Sequence, residues 1–432
     1  MARIKLILIA LLTVFFGQAR LSAGSPVVHG DSLYRAVPDL NFARLDRNTI
    51  VLPADSAALE PFFLKLDTLL SAGSRSLNIV HVGGSHVQAG VLTSRLRENI
   101  STMGSGLAGS PGLVFPFTAA KTNTPVTYRS RYGGEWSNAK CTQRAPDTRL
   151  GMTGMSVTTS DPEAYLRLLS RDRRTCPDSS FDSDYLFDRV CLFGHGSDSL
   201  CAPVLDLDGK MVMGLPDGSR SVWSFILPYR TDSVDVRFRG LRDGHSFTVE
   251  GLLLETDKPG LSVHAIGVNG ASLVSYSRCD AFEHQLQYLN ADLVIFGVGI
   301  NDASGSRFDP EVFKTRYDSF ISAFRRANPD CALLFITNND SYRRVRRSYV
   351  NNPNGAVAEK AFLEIADKWG AGVWNLFDIM GGLKSMAAWE KAGLAKRDKV
   401  HFTNEGYELL GDLLFNAIME KYEEHLRRCS SL

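Results

Sequence analysis

Much of what marks a protein for a particular partner is missing from this sequence of 432 residues. It has no charge excess: 48 Lys and Arg against 47 Asp and Glu leave a formal net charge of +1. Nothing therefore draws the whole chain to nucleic acid or to an anionic membrane. The one dense basic run, Arg343-Arg344-Val345-Arg346-Arg347, reads as a solvated turn or helix face. No Cys-x-x-Cys and no Cys/His spacing suited to zinc occurs, so the common metal frameworks are excluded. Past the N-terminus no apolar run approaches the ~20 residues a membrane-spanning helix needs. There is no repeat and no low-complexity tract. What remains is globular in character, with 44% hydrophobic and 22% charged residues. The length suffices for one large domain or two to three ordinary ones.

The N-terminus has the order of a secretory signal. Arg3 and Lys5 precede an apolar run from Leu6 to Gly17, and small residues follow at Ser22-Ala23-Gly24. Residues 1–24 are therefore read as a signal peptide of an exported protein, periplasmic or secreted, with no stable membrane insertion once the signal is removed. Seven cysteines follow, at Cys141, Cys176, Cys191, Cys201, Cys279, Cys331 and Cys429. Cys176, Cys191 and Cys201 are close enough for one local disulfide in an oxidising compartment. Cys331, opening an apolar run, reads as a small buried hydrophobe.

Periodicity divides the rest into three stretches. Ala54 to Leu70 has apolar residues at helical spacing, and a strand over 77–82 runs into Gly83-Gly84-Ser85-His86 and then a helix to about Ile100. From about Ser105 the helical spacing vanishes. Short alternating runs such as Phe187–Phe193, Ser221–Leu227, Asp232–Phe238 and Ser246–Leu254 are separated by Gly, Pro, Asp and Ser, the pattern of a β-sandwich. After about Pro259 strands at 263–268, 292–298, 332–337 and 372–375 alternate with helices near 272–289, 310–326, 355–369 and 405–428. Such alternation implies a mostly parallel sheet covered on both faces. The divisions are thus 25–104 and 260–432 for an α/β domain, with 105–259 inserted.

Ligands of open parallel sheets bind beyond the carboxyl ends of the strands. Three such ends carry reactive groups: Gly83-Gly84-Ser85-His86, Asn269-Gly270-Ala271-Ser272 and Gly299-Ile300-Asn301-Asp302. A fourth cluster, Arg397-Asp398-Lys399-Val400-His401, stands before the last helix. Ser85 at a helix start has a free N–H and a hydroxyl that a base would turn into a nucleophile. Asp398 can bond one nitrogen of His401, leaving the other to take the Ser85 proton. The N–H groups of Ser85 and Gly270 with the Asn301 amide would form an oxyanion hole, each donor worth roughly 3 kcal/mol in the transition state. Each cluster alone is ordinary turn or cap chemistry; their joint occurrence at strand-to-helix joints is not. His86 would point roughly 100° from Ser85 on a helix, so packing or a substrate-side role suits it better than that of base. Asn339, at another strand end, is a candidate for lining the pocket. Trp136, with Trp223, Tyr128 and Tyr132, could stack on a sugar or belong to the core.

The order Ser85, Gly270, Asn301, Asp398-x-x-His401 resembles the SGNH (GDSL-type) hydrolase superfamily over about 54–104 and 260–428. One departure stands out: Gly84 occupies the place of that family's usual aspartate. The Gly-x-Ser-x-Gly elbow of another hydrolase fold is not met, since Val87 stands at its last position. The resemblance implies a flavodoxin-like three-layer α/β domain with a parallel sheet, and a serine esterase that needs no metal or organic cofactor. A β-rich insertion between the first two blocks is similar to secreted peptidoglycan O-acetylesterases with a carbohydrate-binding-module-like β-sandwich. The expected partner is then an acetylated glycan and not nucleic acid; oligomeric state is left open. Two alternatives use the same residues: a polysaccharide O-acetyltransferase, and a catalytically attenuated glycan-binding protein.

Overall fold

The computed structural model describes residues 34–53, 57–104, 107–170 and 185–430. The expected signal segment and Cys176 lie outside these residues. Short apolar runs, three of which stop at glycine, build a six-stranded sheet. Its order is Ile50–Val51, Gly372–Trp374, Ala332–Ile336, Leu293–Gly297, Ser76–Gly83, Gly260–Gly267. All neighbours run parallel except Ile50–Val51, which is antiparallel to Gly372–Trp374.

Side-chain alternation along each strand feeds two cores, one on each face. In Leu293–Gly297, Val294 and Phe296 enter the first core while Leu293 and Ile295 enter the second. The first is packed by helices Pro310–Ala327 and Asn354–Trp369, the second by Glu60–Ala72, Val91–Ser101 and Asn404–Ser430. This is a mixed α/β fold with a mainly parallel sheet buried on both faces.

Local chemistry sets the helix limits. The helix expected from Ala54 begins only at Glu60, with a proline in its first turn, and stops at Gly73 in the left-handed conformation. Pro310–Ala327 is capped by the Asp309 carboxylate, which accepts from Glu311 and Val312 N–H. The helix expected over 272–289 is broken into Leu273–Tyr276 and Phe282–Leu286, followed by a 3₁₀ turn. At the break Ala281 N–H turns to the Leu150 carbonyl and Arg278 reaches the Cys141 carbonyl. The segment gives up helical bonds to bind the chain inserted before it.

That inserted chain, between Gly112 and Glu255, forms a five-stranded and a seven-stranded sheet in which every pair of neighbours is antiparallel. Phe238 of the smaller sheet lies 5.2 Å, ring to ring, from Phe247 of the larger and 5.6 Å from Trp136. Their apolar side chains belong to the same core as Tyr276, Phe282 and Phe296, so the antiparallel and parallel parts share an interior. Cys191 and Cys201 are free and buried, so the local disulfide expected there does not join them. Cys331 is buried and free, as a small hydrophobe would be.

Candidate active site

Three adjacent strands bring the first three clusters together. At their carboxyl ends Gly267, Gly83 and Gly297 stand side by side in register across the sheet. The loops that follow therefore leave from one row. Gly83 is close-packed: a Cβ there would meet the Val87 side chain at 2.4 Å, and its carbonyl accepts from the Tyr276 hydroxyl at 2.6 Å. Gly84, at φ −102° and ψ −135°, turns the chain into the short helix Ser85–Gln88. Ser85 is the first helical residue, where a backbone N–H has no intrahelical acceptor.

The Gly84 position carries a further constraint. A Cβ at Gly84 would stand 3.3 Å from Asn301 Nδ2 and 3.5 Å from the Ala271 carbonyl oxygen. The loops of Gly270 and Asn301 thus close directly over the residue before Ser85. Asn301 Nδ2 donates one proton to the Ala271 carbonyl at 2.8 Å, which fixes the amide and leaves its second N–H available. Asp302 completes the clamp, its two oxygens accepting from Leu273 N–H at 3.3 and 3.2 Å. Burial pushes the Asp302 carboxyl up to about 6, against the opposing pull of that N–H and Arg316. Gly270, at φ +79°, is exposed, and the atom nearest to a Cβ built on it is Thr142 Cγ2 at 3.9 Å.

The candidate base, His401, arrives from a tight turn before the last helix. Asp398 Oδ1 accepts from the N–H groups of Val400 at 2.9 Å and His401 at 3.0 Å, and Lys399 between them takes the left-handed conformation at φ 56°. The other oxygen, Oδ2, lies 2.8 Å from His401 Nδ1. Burial alone would raise the Asp398 carboxyl; the His401 backbone and ring bonds and the Val400 N–H outweigh it and hold it below the usual range. A carboxylate only accepts, so Nδ1 carries the proton and Nε2 presents its lone pair. His401 Nε2 lies 2.8 Å from Ser85 Oγ. Ser85, Asp398 and His401 are all partly open to solvent.

The other candidates have different surroundings. His86 is half-buried, its Nδ1 bonded to the Tyr407 hydroxyl at 2.6 Å and its ring 5.3 Å from that of His401. Desolvation, reinforced by the nearby His401, drives its pKa down to about 3, so a neutral ring stands beside His401. That is the packing side of the reading, and Tyr407, its partner, was not indicated by any pattern. Asn339 does not line an open pocket: it is buried and donates to the carbonyls of Asp340 at 2.8 Å and Val400 at 3.0 Å. Its amide is spent on bracing the Asp398–His401 turn. Trp136 is half-buried on the antiparallel core, with its indole N–H donated to the Gly133 carbonyl at 2.9 Å. Trp223 and Tyr128 are buried and Tyr132 is exposed.

Gln88 extends the site toward the inserted chain. It donates to Thr122 and Asn123 and accepts from Asn269 N–H at 2.7 Å, tying the Gly270 loop to the start of the antiparallel part. Two groups of metal-capable side chains occur among the described residues, Glu60/His425/Cys429 and Asp198/Cys201/His245; neither includes a residue of this site. A concavity of about 340 Å³ lies over the outer face of the five-stranded sheet, lined by Arg167, Asp206, Tyr229, Asp235 and Arg237 among others.

Residues 242–409 match the family model of the GDSL-like lipases and acylhydrolases. The matched segment holds Gly270, Asn301, Asp398 and His401 and leaves Ser85 outside. No curated protein matches the chain. A solved structure described as "Peptidoglycan O-acetylesterase in action, 5 min" is similar at a TM-score of 0.69 and 21% identity, over 87% of this chain and 99% of that one. This likeness establishes a common fold. An acetyl xylan esterase is 19% identical over 37% of this chain and 81% of its own, at a TM-score of 0.30. A lipase/acylhydrolase from Enterococcus faecalis is 21% identical over 38% of this chain and 77% of its own, also at 0.30. Both are too distant to add weight.

Proposed function

We propose that this chain, whose residues 242–409 match the GDSL-like lipase/acylhydrolase model, is an exported serine esterase of that family that removes O-acetyl groups from a polysaccharide, with peptidoglycan as the leading substrate. The observation that carries the reading is the unbroken relay from Ser85 Oγ to His401 Nε2 and from His401 Nδ1 to Asp398, both steps at 2.8 Å.

In this reading His401 Nε2 takes the Ser85 hydroxyl proton as Oγ bonds to the acetyl carbonyl carbon. The carbonyl oxygen becomes an oxyanion, held by the N–H groups of Ser85 and Gly270 and the spare N–H of Asn301. The bond to the sugar oxygen then breaks, and His401 returns the proton to that oxygen. Water, deprotonated by His401, attacks the acetyl-serine; acetate leaves and Ser85 is restored. Asp398 keeps the ring in the working tautomer and stabilises its cationic form. An O-acetyltransferase would run the same steps with a sugar hydroxyl in place of water.

Peptidoglycan is favoured by the similar fold of a peptidoglycan O-acetylesterase across nearly the whole of both chains. Export is supported by the order of charged, apolar and small residues at the N-terminus. No helix among the described residues is long and apolar enough to cross a membrane. The two antiparallel sheets are read as an inserted β-sandwich, residues 105–259, that steadies the glycan. The assay is acetate release from O-acetylated peptidoglycan compared with acetylated xylan. Ser85→Ala is expected to lower it by about 10⁴-fold or more, and a wild-type rate in that variant would sink the proposal.

A further inference from the structure

Past the carboxyl end of Ala332–Ile336 the chain projects an antiparallel hairpin, Tyr342–Val345 paired with Ser348–Asn351, which joins no other sheet. The basic run of the sequence is this hairpin: Arg343 and Arg344 lie on the first strand, and Arg346 and Arg347 form the turn. The register sets Arg344 opposite Tyr349 and Arg343 opposite Val350. Arg344, Arg346, Arg347 and Tyr349 are exposed. Arg346 holds φ at 54°, the left-handed region in which a hairpin tip normally carries Gly or Asn. A long cation stands at the tip against local preference.

An isolated hairpin with so little buried apolar surface would not persist unaided. This one is rooted in two places. Asn351 donates to the buried Asp340 at 2.8 Å, and Asp340 in turn accepts from Met386 N–H at 3.0 Å. Tyr342 N–H donates to the Lys399 carbonyl at 3.0 Å, and the Lys399 ammonium sits 5.1 Å from the centre of the Tyr342 ring. Lys399 follows Asp398 directly, so the hairpin is bonded to the turn that carries the proposed acid–base pair. Lys396 and Arg397, exposed on the same turn, extend the cationic surface. Among the described residues none of Arg343, Arg344, Arg346, Arg347, Lys396, Arg397 and Lys399 has an ion-pair partner. A chain with a net charge of only +1 thus gathers unpaired cations beside its candidate site.

We propose that the hairpin is a recognition arm for an anionic glycan strand, one that carries carboxylates within reach of the acetylated sugar, as the lactyl and peptide carboxylates of peptidoglycan do. The ligand is named on the strength of the esterase reading above. A guanidinium meets a carboxylate through two parallel N–H bonds, and the Tyr349 ring opposite Arg344 offers a face to a sugar. Clustered cations also raise the local concentration of an anionic polymer, an effect that salt screens within about 8 Å at physiological ionic strength. A neutral acetylated xylan would gain nothing from the arm.

The test uses the full chain with Arg344→Gln, Arg346→Gln and Arg347→Gln combined, and a matching Arg→Lys triple to separate charge from folding. Turnover is measured on p-nitrophenyl acetate, on O-acetylated peptidoglycan fragments, and on the same fragments with their carboxylates amidated. Wild type is expected to favour the free-carboxylate fragments by about tenfold in kcat/KM at low salt. The Gln triple should erase that preference through KM and leave p-nitrophenyl acetate unchanged, while the Lys triple keeps most of it. Equal preference in wild type and the Gln triple would overturn the arm. Binding of both fragments to Ser85→Ala protein judges the arm without turnover: a tighter hold on free carboxylates supports it, and equal affinity overturns it. If wild type turns over no ester, the esterase reading fails separately. Binding of phosphatidylglycerol vesicles through the same arginines, with no preference between fragments, would reassign the arm to a membrane and overturn it.

Discussion

Two histidines among the described residues, His401 and His425, have both ring nitrogens hydrogen-bonded with a carboxylate on at least one of them, and only one of the two is placed for chemistry. His425, on the last helix, is fully buried; its Nδ1 meets Glu60 at 2.6 Å and its Nε2 meets Asp67 at 2.8 Å. Each nitrogen faces a carboxylate oxygen, and neither is turned to a hydroxyl whose proton it could take. Arg428 bonds Glu60 and the Tyr422 hydroxyl bonds Asp67, which makes the cluster a polar staple between Asn404–Ser430 and Glu60–Ala72. His401 differs by one partner. Its second nitrogen faces a hydroxyl, and its side chain keeps 32% of its surface exposed. Replacing one carboxylate by a serine and opening the ring to solvent turns a fastening into a candidate base.

Changing either side of this contrast should give distinct results. The largest effect is expected from Asp398→Asn, which removes the acceptor that fixes the His401 tautomer: kcat should fall by about 10³- to 10⁴-fold with the fold intact by circular dichroism. Asn301→Ala comes next. It removes an oxyanion donor and the bond to the Ala271 carbonyl, and should cost about 10²- to 10³-fold in kcat with little change in KM. His425→Phe should do the reverse. Glu60 and Asp67 lose their shared partner, stability falls by about 2 kcal/mol, and kcat per folded molecule stays at the wild-type value. A tenfold loss of kcat in that variant would mean the two histidines are coupled.

A gentler test uses His81 and His264, which like His86 stay neutral inside the fold. Desolvation lowers His81 to about 4 and His264 to about 3. Above pH 6.5 both are neutral whether folded or unfolded, and they add no pH dependence. Below 6.5 the unfolded chain takes up protons that the folded chain refuses, so stability declines steadily toward pH 4 and then 3. Each unit removes up to about 1.4 kcal/mol per histidine. Melting temperatures should drop between pH 6.5 and 4, and a flat profile there would contradict the assignment.

The parts legible in the sequence were those set by neighbours along the chain. The strand expected at 292–298 is Leu293–Gly297, with Val294 and Phe296 in one core and Leu293 and Ile295 in the other, and the helix expected near 310–326 is Pro310–Ala327. Ser85, Asn301, Asp398 and His401 were singled out because each stands at a joint, and their distances now lend the grouping support. What escaped depends on residues far apart. Asn339 looked available, but a carbonyl 61 residues away claims its amide. The helix expected over 272–289 is broken where Ala281 N–H bonds the Leu150 carbonyl of the inserted chain, with the Arg278 side chain anchored on the Cys141 carbonyl beside it. The arginine run read as a solvated turn or helix face; its placement on a hairpin depends on Asp340 and Lys399, which no local pattern joins to it.

The doubled glycine has acquired a physical reason. Asn301 Nδ2 stands 3.3 Å from where a Cβ of residue 84 would be, so an aspartate at that position would press on the amide assigned to the oxyanion. Gly84 lets the two flanking loops close over the neighbour of Ser85, and the Asn301–Ala271 and Asp302–Leu273 bonds fix those loops without a carboxylate at position 84.

The central claim, that Ser85 attacks the acetyl group with His401 as its base, is tested most directly by trapping the covalent intermediate. Wild-type protein mixed with p-nitrophenyl acetate and quenched in acid should yield the peptide containing Ser85 with one added acetyl group. The same peptide from His401→Ala should stay unmodified over that interval. An acetyl group found on another residue, or equal acetylation of Ser85 without His401, would contradict the account.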